Sequence, residues 1–165
     1  GDRVGLIAYG RKVLHRLPAA RGSRHLRQII DRLSLVREET AEADHLQAAG
    51  RLLGDQKQRA LVVWLTDLAE TAMTPEVVEA AGMLSRHLVL FAVIGQPDLA
   101  QMAAREPADV STMYQVAAAQ EVLHRREMLL AGLRDRGVLA LEADSSRLST
   151  TLVNAYLEAK ERNRL

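Results

Sequence analysis

Arg59-Ala60-Leu61-Val62-Val63-Trp64-Leu65-Thr66-Asp67 is an unbroken apolar run that stops abruptly at a hydroxyl and a carboxylate. So short a run, rich in β-branched residues and without alternation, predicts a strand covered on both faces in the middle of a parallel sheet. In open α/β sheets ligands collect beyond the carboxyl ends of the strands, where loop amides and helix N-termini converge. Thr66 and Asp67 fall on that edge. Asp67 is either a simple turn-forming carboxylate or, given partners elsewhere, one aimed at a metal ion.

The 165 residues, 48% hydrophobic, suffice for one domain with a real core, so the whole of 1–165 is expected to fold as a unit. Aromatics make up 3%, which leaves an aliphatic interior with Trp64 as its one indole. The absence of cysteine excludes thiol nucleophiles, disulfides and zinc–thiolate sites. Neither long apolar run, Leu61 to Leu65 or Leu88 to Ile94, approaches the roughly 20 residues of a transmembrane helix.

A net charge of +1 conceals a basic first third, in which Arg3, Arg11, Lys12, Arg16, Arg21, Arg24, Arg27, Arg32 and Arg37 face only Asp2 and Asp31. With few aromatics to stack bases and no nucleic-acid motif, this reads as a solvated face, and no nucleic-acid partner is expected.

Flanking segments complete the pattern. Val4 to Tyr9 and Val13 to Leu17 form a hairpin about Gly10-Arg11, which Pro18 is expected to close, the second strand being a wet antiparallel edge. Gly22-Ser23 starts a helix to Leu35 with Leu26, Ile29, Ile30 and Leu33 at helical spacing, and a second runs from about Asp44 to Leu53. Thr74-Pro75-Glu76 opens a third helix, to about Arg86. His87 to Ile94 is a buried strand. Leu99 to Ala104 and Thr112 to Arg136 are helices, the latter carrying Val116, Ala119, Leu123, Leu130 and Leu133 inward and ending at Gly137. Val138 to Glu142 is the last strand, and Asp144 or Ser145 caps a final helix. The order β-β-α-α-β-α-β-α-α-β-α predicts an α/β fold, a three-layer α/β/α sandwich with a mostly parallel sheet and an antiparallel edge strand.

Gly1-Asp2-Arg3-Val4-Gly5-Leu6-Ile7-Ala8-Tyr9, Leu61 to Leu68, Arg86-His87-Leu88-Val89-Leu90 and Asn154 to Lys160 together resemble the C-terminal two-thirds of bacterial proteins in the domain-of-unknown-function family numbered fifty-eight. The core of that family is similar to the von Willebrand factor type A fold. The resemblance implies a Rossmann-like domain truncated at its N-terminus, without the first strand that would lie between Val4–Tyr9 and the run ending at Thr66. It also implies a metal-ion-dependent adhesion site for Mg²⁺, a hard ion that takes oxygen ligands. Asp67 matches the third element of that site and Thr66 the residue before it. Leu68 replaces a frequent glycine, Ala43 stands where a Thr or Ser is usual, Asp44 is the nearest oxygen donor, and the Asp-x-Ser-x-Ser element is missing. A degenerate site, weak for Mg²⁺, is the expectation.

The function so implied is a non-enzymatic protein-interaction module, an adaptor for a MoxR-type AAA+ ATPase. Its partner would meet Asp67, Leu68 and His45. The module would be cytoplasmic and tethered to a membrane only through a segment upstream of Gly1. The alternative is an α/β enzyme, a hydrolase, but the sequence holds no G-x-S-x-G elbow, no phosphate loop and no G-x-G-x-x-G fingerprint.

Overall fold

The computed structural model describes residues 2–37, 42–67 and 75–161. Contacts divide the chain into two compact units, Gly1–Gln58 and Arg59–Leu165.

In the first unit β1 (Val4–Tyr9) pairs antiparallel with β2 (Val13–Ala20), closed by the Gly10 N–H donating to the Lys12 carbonyl at 3.0 Å. Pro18 does not end the strand as expected. The register slips between Val4 and Leu6, so that Pro18 and Ala19 together oppose Gly5, and a bulge is a place where a residue without an N–H breaks no ladder bond. Gly5 suits that bulge, because a Cβ there would come within 3.1 Å of the Leu17 carbonyl oxygen. Helix α1 (Ser23–Ser34) follows Gly22, whose φ of 99° is one that glycine adopts without strain. Its apolar stripe stays in water: Leu26, Ile30 and Leu33 are all exposed. Helix α2 (His45–Asp55) buries His45, Ala48 and Ala49, and Asp55 pairs with Arg16 of β2.

The second unit is a parallel sheet in the order β3-β4-β5, formed by β3 (Leu61–Thr66), β4 (Leu88–Ile94) and β5 (Leu139–Ala143). Helices α3 (Pro75–Met83), α4 (Pro97–Ala103), α5 (Val110–Asp135) and α6 (Leu148–Glu161) connect and cover the strands. The central strand is β4, not β3, and this corrects the reading of the Leu61–Thr66 run. Every residue from Leu88 to Val93 is buried, whereas Val63 and Leu65 are 45% and 48% exposed. Strand β3 pairs with β4 alone among the described residues, so it forms the rim. The antiparallel strands likewise form their own two-stranded sheet instead of an edge to this one.

Alternation along each strand sorts the core into two faces. Trp64 and Phe91, opposite each other in the ladder, meet edge-to-face with ring centroids 5.1 Å apart. On the opposite face Leu88, Leu90, Leu139 and Leu141 line a hollow with Ala155 and Ala159 of α6. Helix α5 packs on β5, α3 and α4, and Gly137, with φ 82°, ends the turn that follows it. No helix among the described residues is long and apolar enough to cross a membrane.

His87, at the foot of β4, is 5% exposed. Its Nε2 accepts from Arg86 Nε at 3.1 Å, and Nδ1 has no partner among the described residues. Burial, and then the charge of Arg86, hold its pKa below the ordinary 6.5. The unfolded chain therefore binds a proton that the native ring refuses, and stability is complete above pH 6.5 and declines as pH falls through the lowered native value. The urea midpoint is expected to fall as the pH is lowered stepwise from about 7.5 through 6.5 and below, and His87→Gln should flatten the change.

Candidate functional site

The carboxyl ends of β3, β4 and β5 carry Thr66 and Asp67, Gly95, and Glu142 respectively. Thr66 closes the β3 ladder opposite Val93, and Asp67 is exposed just beyond it. Gly95 donates its N–H to the Ala143 carbonyl at 2.9 Å, bringing the ends of β4 and β5 together. A Cβ on Gly95 would lie 3.2 Å from Glu142 Oε1, so glycine leaves room for that carboxylate.

Against this edge lies a group that the hydrophobic pattern did not reveal. Arg126 projects from the middle of α5 and its side chain is 1% exposed. Nη1 donates to Glu142 Oε1 at 2.9 Å, Nη2 lies 3.5 Å from the Asp67 carbonyl oxygen, and Nε has no acceptor among the described residues. A guanidinium out of water is tolerated only beside a counter-charge, and Glu142, with a side chain 37% exposed, supplies it from the sheet. The one available signal was an arginine on the stripe of Leu123 and Leu130, with an acid in the otherwise apolar last strand.

Asp44 and His45 occur in the other unit. Asp44 is the N-cap of α2: its Oδ1 accepts from the Gln47 N–H at 2.8 Å, and its own N–H donates to the Gly10 carbonyl at 2.9 Å. His45 is 4% exposed, with Nδ1 3.0 Å from the Tyr9 hydroxyl and the two rings edge-to-face. The structure thus joins Asp44 and His45 to the β1–β2 hairpin, and the Asp67 carbonyl to Arg126, which pairs with Glu142. Leu68, and with it the Thr74 cap expected for α3, lie outside the described residues. Removing the Asp44 carboxylate should act through the helix: Asp44→Ala is expected to lose roughly 1 kcal/mol while Asp44→Asn, which keeps an acceptor, loses little, as chemical unfolding followed by circular dichroism would measure.

These side chains do not fit a Mg²⁺ site. Among the described residues no three His, Cys, Asp or Glu side chains gather where a metal could be held. Asp44 already has an oxygen committed to a helix end, and a buried guanidinium reaches toward the carbonyl of Asp67 itself. Two like unit charges 4 Å apart repel by about 4 kcal/mol at an effective dielectric near 20, and a divalent ion doubles that figure.

Comparison with known proteins agrees with the resemblance in one respect. The family described as "Protein of unknown function DUF58" matches residues 1–109, from β1 to the residue before α5. No curated protein and no solved structure matches the chain. The match spans well over half of the sequence, and the chain belongs to the DUF58 family.

Proposed function

We propose that this chain is a non-enzymatic protein-interaction module of von Willebrand factor A-like architecture that docks its partner along the rim strand and its carboxyl end. The observation that carries this reading is the exposure of β3: Val63 and Leu65 point into water and lead directly to the exposed carboxylate of Asp67. Apolar area beside a single charge is the chemistry of a protein-docking surface, and the strand has no Lys, Pro or bulge to discourage contact. The partner we assign is a MoxR-type AAA+ ATPase, as the family resemblance implies, with the module on the cytoplasmic side and any membrane tether upstream. Mg²⁺ enters no step of this scheme.

The test is capture of a purified MoxR-type AAA+ ATPase by the immobilised chain. Asp67→Ala and Leu65→Lys should each abolish retention, whereas Asp98→Ala, on α4, should leave it unchanged. Retention indifferent to both rim substitutions would overturn the reading. Salt-sensitive retention of DNA by the arginine-rich first unit would favour a nucleic-acid role in its place.

A further inference from the structure

We propose that Arg126 is the positioning residue of this sheet edge, a built-in cation that holds the strand ends together and makes docking there independent of Mg²⁺. The inference rests on the docking reading above but has its own geometry. From α5 the guanidinium reaches Glu142 of β5 at 2.9 Å and the carbonyl of Asp67, at the end of β3, at 3.5 Å. At the end of β4, Gly95 has no side chain to press on the Glu142 carboxylate. One helix side chain thus bears on the ends of both outer strands, beside a glycine that keeps the middle one clear.

A fixed positive charge among oxygen donors does two things a bound cation would do: it neutralises the carboxylate and orders the carbonyl. It also repels a real divalent ion from the same oxygens. Arg126 is almost wholly buried, so it does not meet the partner itself; it acts through Asp67, whose side chain remains exposed. Arg126 and Glu142 both lie beyond residues 1–109, the stretch that the family match covers.

Thermal unfolding of the full chain in millimolar Mg²⁺ and in EDTA, for wild type, Arg126→Lys and Arg126→Gln, tests the proposal. Wild type and the lysine variant should melt at the same temperature in both. The glutamine variant, whose Glu142 loses its counter-charge, should melt lower in both and lose capture of the AAA+ ATPase, which the lysine variant keeps. A folded glutamine variant that captures the AAA+ ATPase as well as the lysine variant would mean a merely structural arginine and overturn the proposal, as would a Mg²⁺-dependent rise in the wild type. If Arg126→Gln does not fold, calorimetric titration of the wild type with Mg²⁺ decides: micromolar binding overturns the proposal, and its absence supports it. Capture of the AAA+ ATPase in EDTA separates the two readings. Loss of capture in EDTA alone refutes cation independence, whereas capture that ignores the rim substitutions refutes the docking surface.

Discussion

Glu142→Ala is expected to destabilise the second unit by about 3 kcal/mol, at the lower end of the 3–5 kcal/mol typical of breaking a buried ion pair, because water reaches part of the glutamate. The loss comes less from the missing attraction than from what remains: the Arg126 guanidinium, 1% exposed, without its counter-charge. The converse substitution should be milder. Arg126→Met removes the buried charge, keeps an apolar stem of similar reach on α5, and leaves behind a carboxylate that water can solvate. An order of effect with Glu142→Ala well above Arg126→Met is the signature of a buried cation supported by a half-exposed anion, and equal losses would contradict it. Urea unfolding followed by Trp64 fluorescence measures both, since the only tryptophan in the chain lies in the unit concerned.

Phe91→Ala should cost about 3–5 kcal/mol, whereas Leu65→Lys should stay within roughly 0.5 kcal/mol of wild type. Phe91 is completely buried on the central strand and packs edge-to-face on Trp64, so truncation removes both its apolar transfer energy and the walls of a filled space. Leu65, on the neighbouring strand, is 48% exposed, and a lysine there keeps an aliphatic stem on the sheet while its ammonium reaches water. The same change should reduce self-association at concentration, measured by light scattering, because a charge on an apolar rim discourages edge-to-edge pairing. A large destabilisation by Leu65→Lys would place β3 inside the sheet after all.

That contrast shows where local reading of the chain reaches its limit. Leu61-Val62-Val63-Trp64-Leu65-Thr66 and Leu88-Val89-Leu90-Phe91-Ala92-Val93 are equally apolar, and neither alternates. A run of that kind says strand; it does not say how many neighbours the strand has. The stripe of Leu26, Ile30 and Leu33 posed a similar question. Its spacing makes α1 helical, yet helical spacing alone cannot state that a partner covers the face, and the face is exposed.

Arg126 marks the same boundary at the site. Asp67 was legible because it ends a strand, and the edge beyond a parallel strand is where ligands gather. Asp44 was legible as the start of α2, and the structure gives it the work of a cap. The buried guanidinium was not, since its acceptors are 16 and 59 positions away along the chain.

The sequence by itself determined the order of the eleven elements among the described residues, the parallel character of the later strands and the placing of Asp67 at a strand end, because strand runs, helix caps and glycine stops act over a few neighbouring residues. Only the tertiary structure decided that β4 is the core and β3 the rim, that the hairpin pairs apart from the parallel sheet, and that an arginine holds the sheet's carboxyl edge. Each of those outcomes depends on which surfaces meet, and burial and counter-charge are properties of the meeting rather than of any one stretch of chain.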